Sequence, residues 1–542
     1  MRKAIILIMA SVLSPWTCLQ AEEYSVDGGK DCKVKGVSVM TNPVIWADAP
    51  DPDVIRVGDD YYMVTTTMHL MPGCPVMHSK DLVNWETISY VFDTLDDTPK
   101  YRMEGGTVYG KGQWATSIRY HDGMFYVLFS PNDHPYKSYV YTASDPKGPW
   151  KVHSRLPHFH DSSLLFDDDG RVYIYSGSGT IHLTELEADL SGVKAGGVNM
   201  DVISPDEESR GLHEGTRVVK HNGKYYAMVI NWPKTGRRQL CYRADKITGP
   251  YEKMTVLKDN FVGFPNLAQG CIVDGTEGDW WAMIFQDRGA VGRVLTLSPV
   301  AWKDGWPMVG PEGEGKVPLH VSYTAKSCKP TELVSSDSFE SDRLGINWQW
   351  NHCPDNSAWS LTERPGYLRL RTSRVADNVY AALNTISQRM EGPACDGSLH
   401  LDLSNMKDGD VAGFGAFNGH SALLSVKAEN GKKYLVRHNT VVNFKPDSKI
   451  ISHVDDVEEE RIEIPSDEIY LKILADFRLG RDVASCQWSS DGKDWKTIGN
   501  DYRMRYDYTR LFMGQRFAIY NYATKTPGGY VDVDSFDYHC YK

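Results

Sequence analysis

Five copies of one hairpin pattern constrain the fold of this chain more than any other feature of its sequence. In each copy, a turn containing Gly, Asp or Asn leads into a strand that begins with two apolar or aromatic residues. These pairs begin at Tyr61, Phe125, Val172, Tyr225 and Trp280, which gives spacings of 64, 47, 53 and 55 residues. All-β repeats of this length are typical of propeller blades with about four strands each. The pattern therefore predicts a five-bladed β-propeller.

Equivalent positions in the five repeats carry an unusual set of side chains. Ten residues before the first pair, and eleven before each of the others, stand Asp51, Trp114, Asp161, Glu214 and Gln269. These positions begin the innermost strands, which surround the propeller axis, so we expect the five side chains to converge at one end of the channel. Taken singly, each acid is a common turn or loop residue. Three acids at one channel mouth repel one another, which indicates a use for them or a cation between them.

The three acids suit one reaction. Hydrolysis of a glycosidic bond needs a carboxylic acid that protonates the leaving oxygen and a carboxylate that activates water or attacks the sugar. A third carboxylate can raise the pKa of the acid by charge repulsion and orient it. We therefore predict a glycoside hydrolase. A propeller that binds glycans without cleaving them is the alternative from another class.

Several stretches that contain these acids, among them "WADAPDPDVIRVGDDYYMV", "HDSSLLFDDDGRVYIYSG" and "HEGTRVVKHNGKYYAMV", resemble glycoside hydrolase family 43. The resemblance covers about residues 42 to 310 and implies a five-bladed propeller that hydrolyses glycosides with inversion. It implies that Asp51 is the general base, Glu214 the general acid and Asp161 the residue that modulates the pKa of the acid. Inversion places the base and acid carboxyls roughly 6.5 to 9.5 Å apart, so that a water fits between them.

Five further residues are candidates for contact with the sugar. Trp114 stacks on the sugar in one interpretation and fills the propeller core in the other. Arg293, in "VGRVLTL", resembles an arginine with which family members hold a sugar hydroxyl and the carboxylates, and a surface-strand arginine is the alternative. His69 and Leu70 lie in "MHLMPGCP", which resembles the family's first-blade loop at one pocket wall. Gln269 completes the set by its equivalence with the acids.

Nothing in the sequence calls for a required cofactor. Ten cysteines without a CxxC pair argue against a metal cluster. Many family members carry a His-Gln-Gly motif in the fifth blade, with the His often linked to a calcium ion on the axis. Here the stretch is "NLAQGCIVD", with Ala268 in place of the His. We therefore predict no metal site, and an axial calcium would be structural or electrostatic because the acids already supply the proton transfers.

The second half of the chain predicts a separate domain. We expect the propeller to cover residues 22–308 and a connector rich in Gly, Pro and Lys to cover residues 309–330. Residues 331–542 alternate apolar and polar side chains between turn signals, which predicts a β-sandwich. This part resembles the lectin-like sandwich appended to β-xylosidase and arabinofuranosidase members. We favour packing against the propeller as its role, over independent carbohydrate binding or a loop lent to the pocket rim.

The N-terminus predicts export. Residues 1–21 carry Arg2 and Lys3, then an apolar run and "LQA", which fits a signal peptide cleaved after Ala21. We expect a periplasmic or secreted protein, and a lipid anchor on Cys18 is the less favoured alternative. No later apolar run reaches the roughly 18 to 20 residues that a membrane span requires. The net charge of -12 argues against nucleic acid as a partner.

A funnel closed at one end suits the removal of single terminal sugars. The resemblance, which includes the sandwich, implies β-D-xylosides or α-L-arabinofuranosides in plant-type oligosaccharides or polysaccharides. We expect an exo-acting, inverting α-L-arabinofuranosidase that acts on hemicellulose side chains. A β-xylosidase, or an enzyme with both activities, is the runner-up.

Overall fold

The described chain is almost entirely β-structure. The computed structural model describes residues 36–326 and 329–541. Within these ranges there is no α-helix, and four short 3-10 helices cover Pro99–Arg102, Phe261–Gly263, Gly289–Val291 and Val379–Ala381. None of the described helices has the length and apolar character needed to cross a bilayer. The predicted signal peptide, residues 1–21, lies outside the described residues.

The first half of the described chain forms a five-bladed propeller, as predicted. After strand β1 (Val37–Thr41) come five four-stranded antiparallel sheets, each built from consecutive strands. The blades consist of β2 (Asp53–Val57), β3 (Asp60–Val64), β4 (Gly73–Ser79), β5 (Glu86–Phe92); β6 (Ser117–His121), β7 (Met124–Phe129), β8 (Lys137–Ala143), β9 (Lys151–Pro157); β10 (Ser163–Phe166), β11 (Val172–Ser176), β12 (Ile181–Leu186), β13 (Asn199–Ile203); β14 (Leu212–His221), β15 (Lys224–Trp232), β16 (Arg238–Ala244), β17 (Glu252–Leu257); β18 (Leu267–Asp274), β19 (Trp280–Asp287), β20 (Arg293–Lys303) and β21 (Trp306–Val309).

The repeated hairpins join the first two strands of each blade. In the second blade the turn Asp122–Gly123 has φ values of 47° and 79°, and in the fourth blade Asn222–Gly223 has values of 49° and 74°. Two residues with positive φ are what a type I′ hairpin turn requires, and Asp-Gly and Asn-Gly adopt it most readily. The aromatic pairs that follow these turns lie in β7 and β15, where Phe125 is almost fully buried. The type I′ turns and the burial of the aromatic residues that follow them therefore together account for the repeated hairpin.

The N-terminal segment and the predicted connector tie the first blade to the fifth. Ile45 exchanges backbone hydrogen bonds with Leu295 of β20, at 3.3 and 3.0 Å. Within the stretch predicted as the connector, residues 320–324 form strand β22 (His320–Thr324), which pairs with β1 in antiparallel register. Val321 is buried in the cluster that includes Met40 and Leu295, which explains why this part of the chain is ordered as a strand.

The second half folds as a β-sandwich, as predicted. One sheet has the strand order β23-β26-β36-β28-β29-β30-β31 and the other the order β24-β25-β37-β27-β32-β33-β34, with β35 paired to β33. The strands are β23 (Gln349–Trp350), β24 (Trp359–Ser360), β25 (Leu368–Arg371), β26 (Ile386–Arg389), β27 (Ala394–Asp402), β28 (Asp410–Phe417), β29 (His420–Glu429), β30 (Lys432–Phe444), β31 (Ile451–Ile464), β32 (Glu468–Asp476), β33 (Val483–Ser489), β34 (Lys496–Thr497), β35 (Tyr502–Arg503), β36 (Arg516–Ala523) and β37 (Tyr530–Cys540). Phe517 stacks on Phe414 and packs against Phe536 between the sheets.

The sandwich packs closely on the propeller. Met71, at the pocket end of the first blade, exchanges backbone hydrogen bonds of 2.9 and 2.6 Å with Trp350. One continuous cluster of buried side chains includes Phe92 and Phe129 from the propeller and Phe414 from the sandwich. Burial of apolar surface across this contact stabilises the pair of domains. The contact also places sandwich loops beside the end of the propeller where the acids lie.

Candidate active site

The acid triad, Asp51, Asp161 and Glu214, lies at the end of the propeller where the innermost strands begin. Asp51 and Asp161 precede β2 and β10 by two residues, and Glu214 lies near the start of β14. Their side chains are 8%, 6% and 18% exposed. His160 Nε2 is 3.2 Å from a Glu214 oxygen and 3.9 Å from an Asp161 oxygen. The Arg217 guanidinium donates at 3.2 Å to the backbone carbonyl of Asp51 and at 3.4 Å to the carbonyl that follows Asp161, which links the first and third blades.

Three of the five equivalent positions share an unusual backbone. The φ values are 58° at Asp51, 45° at Asp161 and 81° at Gln269. A left-handed backbone at a residue other than glycine costs on the order of 1 kcal/mol and recurs at functional sites. Thr66 Oγ1 donates a 2.7 Å hydrogen bond to Asp51 Oδ2 and helps to hold its orientation. Asp51 and Asp161 therefore share a left-handed residue two positions before their strands, whereas Gln269 has it within a β-bulge of β18.

Glu214 is placed by a β-bulge rather than by a left-handed turn. The register between β14 and β15 shifts between Glu214 and Arg217. Such a bulge redirects a side chain and disrupts the local pairing. Gly215, inside the bulge, has a φ of 67°, and a Cβ there would stand 2.5 Å from Cδ of Gln269. The Gly of "HEG" is therefore required beside Glu214, and Gln269 packs next to the predicted acid.

His160 gives the site a positive charge among the acids. Burial lowers the pKa of His160, but Asp161 and Glu214 outweigh burial and raise it to about 9. Burial raises the pKa of Asp161 to about 6, and the charges of the neighbouring acids add to that shift. Burial also acts to raise the pKa of Glu214, but hydrogen bonds from His160 and Ser178 hold it below its usual value. In the substrate-free site, Asp161 therefore has the higher pKa of these two carboxyls.

Arg293 lies against Asp51, among the residues predicted for the site. Its Nη1 is 3.5 Å from Asp51 Oδ2, and its side chain is almost fully buried. Asp48 Oδ1 accepts a 2.8 Å hydrogen bond from the backbone N–H of Arg293. A buried guanidinium at this distance stabilises a charged carboxylate. The site therefore contains a cation beside each end of the triad, His160 next to Glu214 and Arg293 next to Asp51.

Trp114 and a sandwich residue, Phe512, form an aromatic rim beside the triad. The Trp114 indole lies 5.8 Å from the His160 ring and 5.6 Å from the Phe512 ring, between centroids. Its Nε1 donates to the Gly110 carbonyl at 3.1 Å. The Arg293 guanidinium carbon lies 4.5 Å from the centre of the Phe512 ring. The sandwich therefore contributes an aromatic side chain at the site in addition to packing on the propeller.

Replacement of the sandwich ring at this rim is expected to weaken substrate turnover. Phe512→Ala removes an edge contact with Trp114 and a cation–π contact with Arg293, each worth about 0.5 to 1.5 kcal/mol. We expect kcat/KM for a terminal pentoside to fall about tenfold. Val457→Ala is the control, because Val457 is an apolar sandwich residue in β31 that is 60% exposed. Equal kcat/KM values for the two variants would show that Phe512 has no part in the site.

The structure does not bring His69 and Leu70 to the triad. The His69 ring is fully buried at the domain interface, with Nε2 3.1 Å from Asn351 Oδ1 and the ring packed against Tyr109. Burial holds the pKa of His69 well below its usual value. Leu70 is buried with Tyr109 and Tyr380 in a cluster between the domains. The sandwich covers this loop, so both residues have a packing position in place of the predicted sugar contact.

Two residues of the site were not predicted from the sequence. His160 directly precedes Asp161, and that adjacency was an available signal, although its partner Glu214 is 54 residues away. Phe512 lies in a loop between β35 and β36 whose composition does not distinguish it from other sandwich loops. Its position depends on how the two domains pack, which no local pattern reports.

The donor atoms do not fit an axial calcium of the type implied by the resemblance. Ala268, which is buried, has no side-chain ligand atom at the fifth-blade position. His160, Asp161 and Glu214 each offer one donor atom, and these lie within 4.8 Å of one another, so they could hold a metal ion. A metal ion there would occupy Glu214, which could then no longer carry a proton to a leaving group.

Comparisons with known proteins match both halves of the chain. The family described as "Glycosyl hydrolases family 43" matches residues 40–307. The family described as "Beta xylosidase C-terminal Concanavalin A-like domain" matches residues 336–539. A "Beta-xylosidase" from Formosa agariphila is 30% identical over 93% of this chain and 91% of its own length. A "Non-reducing end alpha-L-arabinofuranosidase" from Bacteroides ovatus is 32% identical over 62% of this chain and 65% of its own length.

A solved structure extends the similarity to the arrangement of both domains. The structure described as "Bifunctional GH43-CE" from Bacteroides eggerthii is 43% identical and superimposes with a TM-score of 0.84. It covers 92% of this chain, whereas this chain spans 63% of the length of that protein. The similarity therefore extends over both the propeller and the sandwich.

Proposed function

Because this chain belongs to glycosyl hydrolases family 43, we propose that it is an exo-acting, inverting glycosidase that releases single terminal pentoses from xylan- or arabinan-type glycans. One observation carries the proposal, namely the meeting of Asp51, Asp161 and Glu214 from three blades around one partly exposed site. Two carboxyls suffice for inversion, one to activate water and one to protonate the leaving oxygen. The third adjusts the charge around them.

We assign the general base to Asp51. A base must hold its carboxylate in the charged form while water binds to it. The Arg293 guanidinium lies 3.5 Å from Asp51 Oδ2, and the Thr66 hydroxyl donates to the same oxygen at 2.7 Å. Because both partners contact Oδ2, the other oxygen of Asp51 is left to accept a proton from water. The fixed orientation holds that oxygen for attack on one face of the sugar.

We assign the general acid to Glu214 and the modulating role to Asp161. Glu214 has the more exposed side chain of the two, and Asp161 Oδ1 is buried with no hydrogen-bond partner among the described residues. A proton donor must reach the glycosidic oxygen, which favours the more exposed carboxyl. A bound sugar excludes water from Glu214, and this raises its pKa toward the protonated state that the reaction needs. The charge of Asp161 acts in the same direction.

Opposite changes in the pH profile are expected from the two neighbours of Glu214. Asp161→Asn removes a negative charge, so the pKa of Glu214 falls and the alkaline limb of kcat/KM moves to lower pH by about one unit. His160→Gln removes the imidazolium that lowers the pKa of Glu214, so the same limb moves to higher pH. His153→Gln, on the exposed outer strand β9, is the control and should leave the profile unchanged. Shifts in the same direction for Asp161→Asn and His160→Gln would contradict these roles.

Two terminal sugars are candidates, and the names of the relatives reverse the order of preference that the sequence analysis assigned to them. The relative that matches nearly the whole chain is named a beta-xylosidase, which favours β-D-xylose as the first candidate. The arabinofuranosidase name of the Bacteroides ovatus relative keeps α-L-arabinofuranose, which the sequence favoured, as the second. The two glycosides present similar bond geometry to one pocket, so activity on both is compatible with the site.

Turnover of paired chromogenic substrates tests the proposal. We expect release of 4-nitrophenol from the β-D-xyloside, and more slowly from the α-L-arabinofuranoside. Proton NMR of a xylo-oligosaccharide digest should show α-xylose as the first product, because inversion changes the anomeric configuration. Binding of both sugars without turnover at any pH between 4 and 9 would contradict a hydrolase and favour a propeller that binds glycans without cleaving them.

A further inference from the structure

A broad groove runs between the two domains beside the aromatic rim. This interface groove has a volume of about 870 Å³. Its propeller side includes Lys100, Lys111 and Tyr136, and its sandwich side includes Lys445, Lys449 and Arg510. Five of these six side chains are basic. The only acids among its lining residues are Asp133 and Asp447, so the groove carries an excess of positive charge in a chain whose net charge is -12.

Three of the lysines lack an acidic partner. Across the described ranges, no carboxylate lies within 4.0 Å of the ammonium of Lys111, Lys445 or Lys449. Lys449 Nζ instead donates to the backbone carbonyls of Thr509 and Arg510, at 2.9 and 2.8 Å. Burial lowers the pKa of Lys449 to about 8, and the charges of Lys111 and Arg510 contribute to that change. A bound anion would relieve this repulsion.

The interface groove and the aromatic rim are built from the same two loops. Lys111 precedes Trp114 by three residues, and Arg510 precedes Phe512 by two. Three residues of chain span at most about 11 Å, so the groove begins within a few sugar lengths of the acid triad. The backbones also approach closely there, because a Cβ on Gly110 would lie 3.2 Å from the Arg510 carbonyl. A glycan that leaves the triad across the rim therefore meets the lysines.

We propose that the interface groove binds the carboxylate of a uronic acid carried by the same glycan whose terminal pentose occupies the acid triad. The proposal rests on the proposed function, and it adds acidic glycans to the substrate class. The three ammonium groups without an acidic partner provide attraction for one carboxylate without fixing a single geometry. Tyr136, 42% exposed, provides an aromatic face for a sugar ring in the same groove.

The position of the groove beside the acid triad favours a sugar carboxylate over a free phosphate as its anion. Forked guanidinium donors match carboxylate and phosphate alike, whereas an ammonium acts as a point charge for either anion. The guanidinium of Arg510 is already engaged by the carboxylate of Asp507, by Asn443 Oδ1 at 3.1 Å and by the Val442 carbonyl at 2.7 Å. Lysines are therefore the cations left for a ligand. Their position beside a sugar-cleaving site makes a uronate the anion that reaches them together with the substrate.

The test compares substrates that differ only in one carboxylate. The probes are xylotetraoses with an α-1,2-linked glucuronic acid on the second, third or fourth xylose from the non-reducing end. Each is paired with its carboxyl-reduced counterpart, which carries glucose instead. At low salt we expect the native enzyme to cleave at least one uronate probe about fivefold to tenfold more efficiently than its reduced counterpart. Near 0.5 M NaCl this advantage should fall close to unity.

Charge-removing variants assign the effect to the groove. Lys111→Ser/Lys445→Ser should abolish the uronate advantage while leaving kcat/KM for the reduced probes unchanged. Lys493→Ser removes a lysine elsewhere and should keep the advantage, because Lys493 lies at an exposed sandwich turn and forms no ion pair within the described part of the chain. Equal efficiency on all paired probes in the native enzyme overturns the proposal. An equal loss on both members of each pair in the double variant also overturns it, because the lysines would then act on the fold.

A neutral substrate separates the two proposals. Turnover of 4-nitrophenyl β-D-xyloside depends on the acid triad and not on the groove. Its absence would overturn the proposed function, whereas its presence with no uronate advantage would overturn the groove alone.

Discussion

Asp51→Asn is expected to lower kcat/KM by about 10³- to 10⁴-fold on every substrate, aryl glycoside and oligosaccharide alike. An amide cannot accept the proton of the attacking water, and water must be activated whatever the leaving group is. Asparagine keeps the volume of aspartate and can still accept the hydrogen bond from Thr66, so we expect the fold to persist. The measurement is kcat/KM on 4-nitrophenyl β-D-xyloside and on xylobiose, with the thermal midpoint as the check on folding.

A neighbouring aspartate provides the control for the loss of charge. Asp59 lies exposed in the hairpin turn of the same blade, and Asp59→Asn should retain native turnover. A loss confined to oligosaccharides in Asp51→Asn would mean that this residue acts on the leaving group. Turnover within a few fold of native on all substrates would assign the base to another residue. Either result would remove the reason for placing Arg293 and Thr66 in the catalytic arrangement.

The positions of the acids could be predicted because a propeller repeats its geometry. Counting back from each hairpin pair reaches the same place in every blade, so Asp51, Asp161 and Glu214 could be grouped without knowledge of their contacts. The count reached Glu214 even though its side chain is directed by a bulge and not by the left-handed turn found at Asp51 and Asp161. Repeat position therefore predicts where a residue lies better than it predicts how its backbone is held.

Features that depend on the contact between domains could not be predicted in this way. His69 lies in a loop of the first blade, at the same end of the propeller as the acids, but Asn351 of the sandwich covers it. Phe512 reaches the rim from a loop about four hundred residues further along the chain than Trp114. The interface groove forms only because the loops that contain these two residues meet. Periodicity and turn signals report local structure, whereas these features follow from long-range packing.

The assignment of the proton donor is the part of the mechanism that the electrostatics of the free site challenge most directly. The pKa of Asp161 is raised to about 6, mainly by burial, while hydrogen bonds hold the pKa of Glu214 below its usual value. On pKa alone, Asp161 would be the better acid near neutral pH. On exposure, Glu214 is the carboxyl that can reach a leaving oxygen. The two criteria therefore select different residues, and a substrate series can decide between them.

Glu214→Gln is expected to lower kcat/KM by about 10²- to 10⁴-fold on xylobiose and by less than about tenfold on a 2,4-dinitrophenyl pentoside. Dinitrophenolate leaves without protonation, so the variant lacks only a step that this substrate does not need. Measured below its shifted alkaline limb, where Glu214 is still protonated, Asp161→Asn should lose similar activity on both substrates, because the donor itself is unchanged. If the activated substrate rescues Asp161→Asn and fails to rescue Glu214→Gln, the two roles are exchanged. The rescue pattern thus tests the donor directly, since it depends on which carboxyl delivers the proton and not on which has the higher pKa before the sugar binds.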